Sequence, residues 1–154
     1  MHFFSGQIEM IYLAEYPDRI LLLDGGCCGD LDKITKFVAG KLNRSISDIK
    51  LSLVSHPHPD HVGVAQLLRE RFGIPIAAHE TIDTWYQGLG GYFQHIVDMF
   101  HGEALSLKFD REIMSIKSKR VISPDFPLKD GDKVPGFPDW NVLHCPGHTA
   151  HDLV

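Results

Sequence analysis

Ser55-His56-Pro57-His58-Pro59-Asp60-His61-Val62-Gly63 sets three imidazoles and a carboxylate within six positions, directly after the apolar run at 51–54. Residues two apart on an extended backbone point to the same side, so His56 and His58 can turn both rings toward one ion. Pro57 and Pro59 favour that geometry, because each proline fixes its own φ and steers the residue before it away from the helical region. Asp60 and His61 follow where the chain turns into a helix, far enough around to address a second ion beside the first. Imidazole nitrogen and carboxylate oxygen are the donors that catalytic zinc uses, and imidazole also suits iron and nickel. Burying such a cluster in a packed core without a partner would be costly, so the stretch reads as a metal site.

Outward from it, the pattern alternates strands and helices. Residues 7–13 and 19–23 alternate or run apolar around Tyr16-Pro17-Asp18, which predicts a hairpin entering a sheet. Ile34, Phe37, Val38 and Leu42 form a helical stripe over 30–42, ending near Asn43. The run 51–54 is the strand that delivers the histidines, and 62–72, with Leu67, Leu68 and Phe72 on one face and Gly73 as the stop, is the helix after them. A further strand over 74–78 closes with His79, expected to be a hydrogen-bonded structural residue. Pro135-Gly136-Phe137-Pro138 forms a turn-rich connection before a strand over 140–144. Between 81 and 120, Phe93, Ile96, Val97 and Phe100 mark an amphipathic helix, with Trp85, Tyr86, Tyr92, Met99 and Phe109 adding bulk. Aromatics at helical spacing are expected to pack in the core, a lid over a cleft being the alternative, with His95 and His101 on the polar side.

Composition bounds the function. At 154 residues, 44% hydrophobic and 23% charged, the chain suits one soluble globular core. The net charge of −5, with no basic stripe beyond Lys117-Ser118-Lys119-Arg120, gives nucleic-acid binding little support. Cys27, Cys28 and Cys145 are odd in number and two are adjacent, so no disulfide framework is expected and a reducing, cytoplasmic compartment fits. Cys145, ahead of Pro146, is expected to be buried. No signal peptide and no apolar run of about 18 residues is present, which argues against a membrane span.

An HxHxDH run that follows a strand and opens a helix resembles the metallo-β-lactamase superfamily. Leu21-Leu22-Leu23-Asp24-Gly25-Gly26 looks like that family's early strand ending in an aspartate. Asp130-Gly131-Asp132 and Val142-Leu143-His144-Cys145-Pro146-Gly147-His148-Thr149 look like its "DGD" hairpin and "PGHT" turn, so the likeness runs from about residue 7 to 154. The resemblance implies an α/β chain with the αββα sandwich of two similar halves. It implies a first metal on His56, His58 and His148 with an open position, and a second on Asp60 and His61. Asp24 would fix an imidazole tautomer from behind the ligands. Three neutral imidazoles leave the ion its full charge, which lowers the pKa of bound water to roughly 7, and Asp60 would orient that water and accept its proton. Zinc is the expected cofactor, one or two ions, with iron or manganese as alternatives.

The implied activity is hydrolysis of an ester, thioester or lactone in a small molecule, as in the glyoxalase II-like and lactonase-like branches. Phosphodiesters and β-lactams rank lower, on charge and on the missing export signal. A di-iron, oxygen-reducing relative is disfavoured because such proteins usually carry a glutamate where His58 stands. The rival from another class is a metal-binding or structural half-domain without turnover. In the family a bridging aspartate and a final histidine follow PGHT, whereas here only Ala150-His151-Asp152-Leu153-Val154 follow Thr149. The expectation is therefore one domain over 1–154, incomplete at its C-terminus, with 81–120 as a helical insertion or lid. Asp152 is expected to be a strand-edge polar residue, and the unfinished sheet to offer an edge for a homo-oligomer.

Overall fold

The antiparallel hairpin and the helices expected from the apolar spacing feed a single six-stranded sheet in the computed structural model, which describes residues 1–108, 116 and 118–154. Phe109 and Lys117, both noted above, lie outside the described residues. The strands are β1 (His2–Ser5), β2 (Met10–Glu15), β3 (Ile20–Leu23), β4 (Ile49–Leu53), β5 (Ile76–His79) and β6 (Phe126–Leu128), and they lie in that spatial order. β1 to β3 run antiparallel, and β3 to β6 pair in parallel. Parallel neighbours need a crossover, supplied here by helices α1 (Leu31–Gly40), α2 (Pro59–Phe72) and α3 (Gly88–Lys108). A separate hairpin of β7 (Lys133–Val134) and β8 (Phe137–Asn141) follows.

Two expected boundaries shift for local reasons. The strand read over 7–13 divides, because the Gly6 N–H closes a turn onto the Glu9 carbonyl and separates β1 from β2. The strand read over 140–144 begins earlier: Gly136, at φ 78°, closes a tight turn that pairs Val134 with Phe137, leaving His144 to a single bridge with Leu153.

Each face of the sheet has its own core. On one, Leu31, Ile34 and Val38 of α1 and Val64 and Leu68 of α2 pack on Ile11, Leu13, Ile20, Leu22 and Ile49. On the other, Leu21, Leu51 and Ala77 meet Leu128, Val134, Phe137, Val142 and Leu153. Ile49 and Leu51 are two apart yet serve opposite faces. The register explains this: Ile20 pairs with Ile49 and Leu21 with Leu51, so Lys50 is an extra residue that reverses the alternation.

α2 positions the site. Pro59 starts it at a point where a missing N–H costs nothing, and Gly73, left-handed at φ 68°, ends it with its N–H on Arg69. Its first turns press against the loop after β3. The Val64 N–H donates to the Gly26 carbonyl (3.1 Å), and a Cβ on Gly63 would lie 2.8 Å from the Cys27 carbonyl carbon.

α3 departs from the expected core packing. Phe93 and Phe100 are 62% and 67% exposed, and Tyr92 and Val97 are exposed as well. The helix turns its small and polar side inward, burying His95, Gly102 and Ser106. Gly102 allows the approach, since a Cβ there would already touch Ile116 and Ile8 at 3.3–3.4 Å. His95, expected on the polar side, is therefore buried, with its Nε2 3.3 Å from Ser118 Oγ.

Gly63→Ala should destabilise the chain by about 1–3 kcal/mol, as overpacking against backbone does. Gly90→Ala, where a Cβ meets open space, should stabilise it by up to about 1 kcal/mol. Denaturant melts of both variants check the pair; equal midpoints would contradict the close approach of α2 to the loop after β3.

Candidate metal centre

The centre forms where three segments meet beyond the ends of β3 and β4. Asp24, just past β3, holds a left-handed backbone at φ 46° that aspartate tolerates better than most residues. Its Oδ1 accepts the Ser55 N–H at 2.7 Å. That bond sets the start of the loop carrying His56, and His58 then caps α2 in an extended conformation. The third segment is the turn at 145–152. The Leu153 N–H reaches the Ser55 carbonyl (2.9 Å), which lays this segment beside the histidine loop.

Asp152 organises the turn. Its carboxylate accepts from the N–H of Gly147 (3.2 Å), His148 (2.8 Å) and Thr149 (2.8 Å), and from the Thr149 hydroxyl (2.6 Å). Burial pushes its pKa up, but these donors outweigh burial and hold it below the usual carboxylate range. The expectation of a strand-edge polar residue is thus corrected. Four donors converge on one side chain because the turn's own N–H groups find no strand partner. Cys145 is corrected too: the short bridge leaves it exposed, with a free thiol. His79 hydrogen-bonds with the Thr81 hydroxyl (3.1 Å) and lies against His144 and His151, apart from the centre.

The structure brings His56, His58 and His148 together, with one ring nitrogen of each within 4.8 Å of the others. His148 Nε2 is 3.0 Å from His58 Nδ1. Ser55 Oγ engages His56 Nδ1 at 2.9 Å, leaving Nε2 as the free donor, and the far nitrogen of His58 lies 3.7 Å from Asp98. Burial, helped by His61, drives the His56 pKa down to about 3, and burial lowers that of His58. Both rings are therefore neutral at ordinary pH, as a metal requires of its ligands. The donor set fits a borderline-soft divalent ion.

Asp60 and His61 form a second group, joined by Glu9. His61 Nε2 lies 3.0 Å from Glu9 and 3.8 Å from Asp60, while its Nδ1 lies 3.2 Å from Asp24. Asp24 thus stands behind His61. Burial would lower the His61 pKa, but Asp24 and Asp60 outweigh it and raise it. Burial, followed by the charges of Asp24, Asp60 and Asp30, pushes Glu9 up to about 10.

Two residues here escaped the sequence reading. Glu9 had one signal, being the only acidic residue among the first fourteen. Asp98 had none. It reaches the site because α3 carries it there, and it accepts from the Tyr86 hydroxyl (2.7 Å) and the Gln94 amide (2.8 Å). A cleft of about 410 Å³ opens between α3 and the histidines, lined by His58, Asp60, Asp98, His101, Leu105 and His148.

Asp152→Ala should release the turn and weaken metal binding by about 10- to 100-fold, the usual range for residues that orient ligands. Calorimetric titration with zinc checks this, and unchanged affinity would show that the turn holds His148 without Asp152.

The chain resembles known proteins in sequence and in fold. The family described as the metallo-beta-lactamase superfamily matches residues 6–154. The "Probable metallo-hydrolase YflN" of Bacillus subtilis is 25% identical over 154 residues, covering 97% of this chain and 56% of its own. The exodeoxyribonuclease WalJ of Streptococcus pneumoniae is 32% identical over 81 residues, 53% of this chain and 28% of its own. In fold, the subclass B3 metallo-beta-lactamase BJP-1 of Bradyrhizobium japonicum aligns with a TM-score of 0.64 at 23% identity, over 94% of this chain and 48% of that one. The chain spans about half the length of these full-length relatives. With the family match running over nearly all of its residues and the histidine and aspartate groups assembled at the strand ends, the chain belongs to the metallo-beta-lactamase superfamily.

Proposed function

We propose that the chain carries the metal-binding part of a zinc-dependent hydrolase that opens an ester, thioester or lactone in a small molecule. The observation that carries this reading is the convergence of three imidazoles, two of them driven neutral, beside Asp60 in an open cleft. His56, His58 and His148 would hold the zinc, which would supply Lewis acidity toward a carbonyl oxygen and a water acidic enough to react near neutral pH.

The chain's own side chains do the rest. Asp60, on the cleft wall, orients the attacking water and takes its proton. Asp98, held by Tyr86 and Gln94, sets a negative charge 3.7 Å behind the far nitrogen of His58. Leu105 and Gly102 offer an apolar wall to an acyl chain, and His101 lines the same cleft. The cleft's size suits a small molecule. WalJ is named for DNA, but the net charge of −5 opposes a polyanion, and Lys119 and Arg120 are engaged with Glu70 and the Tyr86 carbonyl. Three free thiols support a reducing, cytoplasmic setting, and no helix among the described residues is long and apolar enough to cross a membrane. Pairing of two copies along edge strand β1 is the oligomer this reading anticipates.

A panel of ester, thioester and lactone substrates tests the proposal. Turnover should vanish with a chelator and return with zinc, and Asp60→Asn should lower kcat by about 10²- to 10⁴-fold. Turnover unaffected by chelator would overturn the hydrolase reading. Zinc binding without turnover on any substrate would favour a metal-binding half-domain instead.

A further inference from the structure

We infer that the outward face of α3 is an interaction surface for a second copy of this chain, the two helices lying antiparallel across a two-fold axis that passes between Ile96 and Val97. The contact is distinct from pairing along β1 and does not depend on the metal centre.

The helix itself sets out the surface. At the α-helical repeat, Leu89, Phe93, Val97, Phe100, Ala104 and Leu107 fall on one side over nearly the whole length of α3, and no charged residue falls among them. Leu89 is 82% and Leu107 60% exposed, and Phe93, Val97, Phe100 and Ala104 are exposed between them. That side lies opposite His95, Gly102 and Ser106, through which the helix docks, and away from Asp98 and Leu105, which line the cleft. Pairing through it therefore leaves the cleft open.

Area, charge and side-chain order select the occupant. The exposed parts of these side chains amount to about 600 Å² of apolar surface, the upper end of what a monomer leaves bare. Two such faces together reach about 1,200 Å², where stable interfaces begin. Apart from histidine, the charged residues of α3 are Asp98, Glu103 and Lys108. A helix that lies on a membrane carries several cations on its polar side, and here there is one, in a chain of net charge −5. The order of the side chains favours self-pairing. Phe93 and Phe100 are equally far from the midpoint of Ile96 and Val97, and so are Leu89 and Ala104. In a two-fold contact each residue meets its mirror position, so Phe93 faces the partner's Phe100 and Leu89 faces the partner's Ala104. Aromatic rests on aromatic and large on small, as interdigitating helices require. Glu103 comes level with the partner's Gly90, so no like charges oppose each other.

Sedimentation equilibrium of the 154-residue chain over a range of concentrations tests the pairing, with circular dichroism melts as the check on folding. The expected result is a mass of two chains for the wild type. Phe93→Lys and Phe100→Glu, both at exposed positions, should each give a mass of one chain with unchanged melts, because each presses a charge against the partner's ring. The double variant Phe93→Lys/Phe100→Glu brings opposite charges face to face only in the antiparallel register, and should pair more tightly than either single variant. Phe3→Lys, on exposed β1, should keep a mass of two chains. A wild type of one chain at every concentration, single variants that stay paired, or a double variant no tighter than the single ones would each overturn the inference. Pairing lost in Phe3→Lys but kept in Phe100→Glu would overturn it in favour of the sheet edge. A monomeric wild type that floats with phosphatidylcholine–phosphatidylglycerol vesicles would overturn it in favour of a lipid surface.

Discussion

The Asp24 carboxylate is the constraint on which the centre depends. It sits at the end of a strand buried on both sides, and its two oxygens face two different segments: the Ser55 backbone at the start of the histidine loop, and His61 in the first turn of α2. A single side chain thus ties the sheet to both groups of candidate ligands. Burial opposes its charge, but His61 and Ser55 more than compensate and hold its pKa low. The left-handed backbone at this residue, strained by about 1–3 kcal/mol in most contexts, is kept because the contacts on either side fix it from both ends.

Charge is distributed unevenly across the centre. His56 and His58 are kept neutral by burial, whereas His61, a few residues on, is drawn toward its charged form by the carboxylates around it. The His56 and His61 rings are 3.8 Å apart, so this contrast arises over a very short distance. It follows from their surroundings: His56 and His58, on the loop before α2, pack against other imidazoles, whereas His61, in the first turn of α2, lies against Glu9, Asp24 and Asp60. One motif therefore supplies two environments of different hardness.

The HxHxDH run, the aspartate after β3 and the PGHT turn were legible in the sequence because each is a short stretch whose spacing translates directly into geometry. So were α1 and α2, whose apolar stripes face a sheet. The contribution of Glu9, Asp98 and Asp152 was not legible. Glu9 and Asp98 act through tertiary placement, one across a turn between strands and the other from a distant helix. Asp152 acts on backbone N–H groups, a partner that side-chain patterns do not reveal. The reading of α3 failed for a related reason: its aromatic period is real, but the helix docks through Gly102 and Ser106, and periodicity alone does not say which side of a helix meets the sheet.

The bond from Leu153 N–H to the Ser55 carbonyl joins segments that are far apart along the chain. Closing so long a loop costs entropy that must be met before the contact is gained. The third histidine of the centre rides on that segment. Any ligand gripped by all three rings binds only the docked state, and by mass action it draws the final closure forward: occupancy of the centre and completion of the fold become one equilibrium.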